Sequence, residues 1–174
     1  MRNAASREQK LFYLGEQLEL IRQTFFRQVM FAEFQLQMHE VREQGRPLSG
    51  AALTEKYCSL LRRYYGEAQG VMKIDPLYCN EWAYVPHFYY GYYVWQYATS
   101  MAGAAQFADD MQGAKGAAAR DRFITMLKAG GSDYPYELYR RAGVDLGEPA
   151  PYQALVRRMD RIMDEIEALV RAGR

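Results

Sequence analysis

The sequence predicts an all-α fold, and three observations carry that prediction. Apolar residues recur every three or four positions through several long stretches, the spacing that lines one face of a helix. No stretch alternates apolar and polar residues as a strand would, and no repeat period is visible. Glycine, proline and serine cluster between the periodic stretches, where turns belong. The expected architecture is a set of long helices packed around an aromatic-rich central helix, in a single domain over 1–174.

From Arg7 to Gln44 the rhythm is unbroken. Leu11, Leu14, Leu18, Ile21, Phe25, Val29, Ala32, Leu36 and His39 form the inward stripe, with Ser6 as cap. At the rise of an α-helix this element would be roughly 55 Å long, longer than a compact domain of this size is wide. Phe12, Phe26, Met30 and Phe34 supply a second apolar face, so burial on two sides is expected. Gly45 and Pro47 end the helix. Ser49 caps a second helix to Tyr65, with Leu53, Tyr57, Leu60, Leu61 and Tyr64 inward. Residues 67–74 connect, and Asp75-Pro76 opens a short turn through Trp82.

Next comes WAYVPHFYYGYYVWQYATS, Trp82 to Ser100. Pro86 reads as the start of a helix that continues through MAGAAQFA to Gly113, with His87 in its first turn. Helical spacing then sets Gly91 and Trp95 near His87 and Tyr90 on its flank, with Tyr89, Tyr92 and Gln96 turned away. A glycine between a histidine and a large ring leaves room for a ligand backbone. Two readings stay open for these rings: the wall of a cleft, or packing whose hydroxyls are satisfied by neighbours. Small residues in MAGAAQFA would let another element approach closely. A helix over Ala117–Ala129 follows, then the GGSDYP turn with Ser132 as cap for a short helix to Arg141. Gly143 and Val144 suit a Schellman ending. A last amphipathic helix covers about Pro151 to Ala172, its stripe running from Leu155 through Met159 and Ile162 to Val170.

Composition narrows the function. A formal charge of +1 over 174 residues, with arginine pairs scattered, argues against a nucleic-acid partner held by counterion release. No apolar run approaches the ~20 residues that span a bilayer. Cys58 and Cys79 lack CxxC spacing, which favours reduced, buried thiols and a cytoplasmic setting. The start MRNAASREQK shows no secretory signal. His39-Glu40 opens no HExxH, because Glu43 stands where the second histidine must be, so His39 reads as structural. No P-loop, dinucleotide fingerprint or GxSxG elbow occurs. Cys58 with His87 is a remote dyad with nothing to set its geometry.

Several segments together resemble the C-terminal part of the oligoendopeptidase F family of zinc metallopeptidases, related to thimet oligopeptidase. They are KLFYLGEQLELIRQTFFRQVMFAEFQ, the GRPL segment at 45–48, YYGEAQGV and EWAYVPHFYYGYYVWQYATS, followed by AGGSDYPYEL and AGVDL. PHFYY with YxxxYAT, then GGSDYP before AGVD, are the specific elements. The resemblance implies the C-terminal half of a zincin-like catalytic domain, whose HExxH motif lies upstream. It implies zinc in the full-length enzyme, and no metal site or cofactor in this chain. His87 matches the family histidine that binds peptide backbone and stabilises the oxyanion. Tyr90 and Tyr93 are the candidate catalytic partners; Tyr92 and Trp95 join them as substrate-binding residues, Trp95 standing where the family has tyrosine. The implied partners are short peptides, and either the missing N-terminal portion or a second copy along the long first helix. The contrasting possibility is a stand-alone, non-catalytic helical peptide-binding or scaffold protein.

Overall fold

The computed structural model describes residues 6–172, and among them there are helices and turns but no strand. Helix α1 (Arg7–Ile21) passes through a π-helical turn, Arg22–Phe26, into α2 (Arg27–Glu43). Arg22 and Phe26 keep right-handed helical dihedrals at the joints, so the run is continuous. Ser6 caps it by accepting from the Gln9 amide, and Gly45, at φ 71°, lets the chain turn away. The π turn corrects the expected stripe. A π turn holds an extra residue, so every apolar position beyond it rotates out of register. Leu14 and Ile21 are buried as expected, but beyond the turn the core takes Met30, Phe31, Phe34 and Val41 instead of Val29, Ala32 and Leu36. Leu36 is left exposed, as is Phe12.

The chain gathers into two compact units, one of residues 26–98 and one of the stretches before and after. In the first, α2 packs on α3 (Gly50–Tyr64), which Ser49 caps by accepting from the Ala52 amide. Asp75 caps the 3-10 turn Pro76–Ala83, and this turn lies along α3. Four ties fix it there. The Trp82 indole donates to Thr54 Oγ1 at 3.0 Å, and the Thr54 hydroxyl donates to Asn80 at 3.1 Å. The Tyr57 hydroxyl donates to Glu81 at 2.6 Å. Cys58 and Cys79 are joined as a disulfide, which corrects the expectation of reduced thiols. Sequence gave no hint of it, because the 3-10 turn that brings Cys79 back to α3 carries no long-range signal.

Glu81 also takes Arg27 of α2 as an ion-pair partner, so one carboxylate meets three elements. Burial, and then the bond to Glu81, pushes the Tyr57 phenol far above its usual range. Around this tie the core is aromatic. Phe34 stands edge-on to Tyr57 and to Phe88, each with ring centres 5.1 Å apart, while Val85 and Val94 complete the cluster.

In the other unit α1 runs against α7 (Ala150–Arg171). Arg7 donates to the Leu169 carbonyl, Arg158 to Gln17, and Phe25 meets Tyr152, so the two helices are antiparallel. Asp109 of α4 (Trp95–Gln112) pairs with Arg161 at 3.0 Å, with Arg157 at 3.8 Å. Helix α5 (Gly116–Ala129) and α6 (Pro135–Arg141) close over Phe107, Phe123 and Tyr139. Tyr134, not Ser132, precedes α6, and no side chain caps it. The Schellman ending is present: Gly143 donates to Arg140 O and Val144 to Tyr139 O, with Gly143 at φ 93°. The small residues of α4 do admit a neighbour, since a Cβ on Gly103 would lie 2.5 Å from the Tyr139 ring.

Two predictions follow from this packing. Gly103→Ala should cost about 1–3 kcal/mol, because the Tyr139 ring is held by Phe107 and has no room to yield; denaturant melts measure it. Tyr64 donates to Glu33, and burial followed by that bond pushes its phenol up to about 12. A raised phenol adds stability that is whole below its unfolded value near 10 and lost as pH rises through the folded one. Stability should therefore fall between about pH 10 and 12, and Tyr64→Phe should show a shallower fall over that window.

Candidate functional site

The aromatic stretch is not one helix. A short 3-10 turn, Pro86–Tyr89, is followed by extended Tyr90 and a bend through Gly91 and Tyr92, and α4 begins only at Trp95. The physical reason is a conflict over burial. Phe88 and Val94 both pack into the same core cluster, and a regular helix would separate them by half a turn or more around its axis. The backbone breaks instead, with Tyr92 at φ 31°, a conformation that side-chain-bearing residues rarely adopt.

The break decides which residues meet His87. Its Nδ1 lies 2.5 Å from the Tyr93 hydroxyl. The rings of His87, Tyr93 and Tyr97 form a triangle, with centres 5.7 Å apart for His87–Tyr93, 5.6 Å for His87–Tyr97 and 6.0 Å for Tyr93–Tyr97. Phe31 backs the imidazole from α2 at 6.3 Å. Desolvation first, then the Tyr97 hydroxyl and the Tyr90 phenol, raises the Tyr93 phenol above its ordinary value. Tyr93 therefore stays protonated and can donate to Nδ1, which leaves the imidazole proton on Nε2.

Of the residues expected at the site, His87 and Tyr93 come together. Gly91 and Trp95 do not take the positions beside His87 that a regular helix would give them. Trp95 is 47% exposed, and its indole N–H is spent on the Tyr92 carbonyl at 3.0 Å. Tyr90 is 65% exposed, with no hydrogen bond from its hydroxyl. Tyr92 turns its ring onto His39, centres 4.9 Å apart and edge-on, so the second histidine also faces this segment. Tyr97 was missed by angular reasoning, although the YxxxY spacing of Tyr93 and Tyr97, one helical turn, was there to be read. Beside Gly91 no atom lies within 4 Å of where a Cβ would stand, and the expected gap exists. Tyr84, Tyr89, Tyr90, Tyr92, Trp95 and Tyr97 together present an exposed aromatic strip around it.

Among the described residues no three of His, Cys, Asp and Glu gather as a metal would require. Both histidines are engaged with tyrosine rings and both cysteines with each other, so this donor set does not fit a zinc ion. The arrangement offers neutral donors and flat apolar faces, which suit an uncharged backbone more than an ion or a phosphate.

Comparison with known proteins agrees with that chemistry. The chain is 41% identical to oligopeptidase PepF of Bacillus subtilis over 170 residues, 98% of this chain and 25% of that protein. It is 32% identical to the chromosomal oligoendopeptidase F of Lactococcus lactis subsp. cremoris, covering 99% of this chain and 28% of the relative. The chain thus spans about a quarter of the length of these curated relatives. The crystal structure of oligoendopeptidase-F from Enterococcus faecium superposes with a TM-score of 0.89 at 33% identity, over 98% of this chain and 32% of that one. Residues 2–158 match Peptidase family M3, and the chain belongs to that family.

Proposed function

We propose that residues 1–174 form the substrate-binding half of a zinc metalloendopeptidase that hydrolyses short peptides, and that they bind peptide without cleaving it alone. The observation that carries this is the His87–Tyr93–Tyr97 triangle beside the open space at Gly91. With Tyr93 donating to Nδ1, the Nε2–H of His87 is a donor for a peptide carbonyl. Such a donor, held in place before the substrate arrives, also favours the oxygen that gains negative charge during hydrolysis. Tyr93 acts by fixing the tautomer and ring angle; Tyr97 and Phe31 hold the imidazole from its sides. The exposed rings of Tyr90, Tyr92 and Trp95 offer apolar faces to peptide side chains.

In this reading the metal belongs to the portion of the relatives that this chain does not span, and the two compact units are part of one larger catalytic domain. Phe12, Tyr13 and Leu20, exposed along α1, support docking of that portion or of a second copy there. Concentration-dependent association in sedimentation is the expected result; a monomer over a wide range would count against it. A cytoplasmic setting belongs to the same reading, and the Cys58–Cys79 bond, a kind rare in reducing compartments, is the observation against it. The lack of a metal donor set favours one other reading, a stand-alone peptide-binding protein with the same groove.

Calorimetric titration with a capped heptapeptide, Ac-Ala-Ala-Phe-Gly-Leu-Ala-Lys-NH2, tests the groove. His87→Ala should weaken binding about tenfold and Tyr93→Phe about three- to fivefold, the range of one hydrogen bond lost. An unchanged isotherm for both removes the groove reading. Gly91→Ala should leave stability unchanged or raise it by up to about 1 kcal/mol, since no positive φ needs glycine there, while the added methyl group obstructs the peptide. Incubated with zinc, the chain should leave the heptapeptide intact; turnover with stoichiometric zinc would refute the division between groove and metal.

A further inference from the structure

Gln35 is 2% exposed, the one polar side chain buried in the core among the described residues, and its Oε1 accepts no hydrogen bond. An orphaned buried carbonyl is costly, and an apolar residue of the same shape would avoid the cost. Its position on α2 gives the orphan a context. One turn before it, Phe31 packs on His87 and Phe88; one turn after it, His39 packs on Tyr92. Residues four apart share a helix face, so Gln35 lies between the two points where α2 meets the aromatic segment.

That segment holds the complementary deficit. No protein group accepts from the N–H of Gly91, Tyr92 or Tyr93. The same residues carry the left-handed strain of Tyr92 and the open space at Gly91. A buried acceptor without a donor thus faces a strained, exposed turn whose donors lack acceptors. Strain of this sort persists where a second conformation is used.

We propose that Gln35 is a positioning residue: when a peptide enters the groove, the Gly91–Tyr93 turn moves inward and donates a backbone N–H to Gln35 Oε1. That bond sets Tyr93, and through it His87, against the peptide. The inference rests on the peptide-groove reading above.

The test pairs thermal melts of the free chain with titration by the same capped heptapeptide. Gln35→Met removes the acceptor at nearly constant shape; it should raise the melting temperature by a few degrees while weakening binding about five- to tenfold. Gln35→Glu keeps an acceptor at the same reach; it should lower the melting temperature yet hold affinity within about twofold. This crossing of stability and affinity is not produced by a residue that only packs. Wild-type affinity in Gln35→Met, or a parallel fall of stability and affinity, overturns the role of Gln35 and leaves the groove standing. A wild-type chain that binds no heptapeptide overturns both.

Discussion

The position of His87 depends on one carboxylate. Glu81 is 16% exposed at its side chain and is held by Arg27 from α2 and by the Tyr57 hydroxyl from α3. A carboxylate withdrawn from water to that degree is stable only while both partners stay, and removal of one partner of such a pair commonly costs 3–5 kcal/mol. The constraint is transmitted by packing. Arg27 lies 4.7 Å from the centre of the Phe31 ring, and Phe31 backs both His87 and Phe88. The same guanidinium thus neutralises the buried charge and braces the wall behind the imidazole. The disulfide and the Trp82–Thr54 bond fix the two ends of the same turn to α3, so the chain enters Pro86 at a defined place.

From there the segment resolves competing demands at the expense of regularity. Phe88 and Val94 go into the core, and the residues between them cannot follow. Tyr89, Tyr90 and Tyr92 stay outside because burying three more phenols would require partners for three hydroxyls. The resulting bend brings Tyr93 to His87 and starts α4 late enough for Tyr97 to close the triangle. A continuous helix over the same residues would have placed Gly91 and Trp95 there, and no hydroxyl would have reached Nδ1.

This explains which parts could be read in advance. Local chemistry was legible: Ser6, Ser49 and Asp75 cap where their hydroxyls and carboxylate imply, and Gly143 with Val144 ends α6 as the spacing says. What was not legible arises where tertiary packing overrides a local period. The π turn at Arg22–Phe26 shifts the buried stripe by one residue, since the core accepts Met30 and Phe34 better than Val29 and Leu36. The break at 90–94 and the return of Cys79 to α3 have the same origin. His87 and Tyr93 were found through their residue types; Tyr97 was lost because its place depends on the break, and Phe31 because it comes from a helix about fifty-six residues away in sequence.

The choice of side chains at the groove follows from what a peptide backbone offers. Its carbonyls and amides are neutral and spaced along an extended chain, so a charged clamp would gain little and would carry a desolvation cost. Phenols and imidazole donate without net charge, and their rings lose few rotamers when ordered. Six of these aromatic residues remain in water around Gly91, a concession that a chain with no use for them would be expected to avoid. The orphaned amide of Gln35 and the left-handed Tyr92 are concessions of another kind, and both lie against the same strip. Elsewhere the described chain caps its helices and pairs its charges. Local rules that fail together in one place, and hold around it, mark the place where stability has been given up for binding.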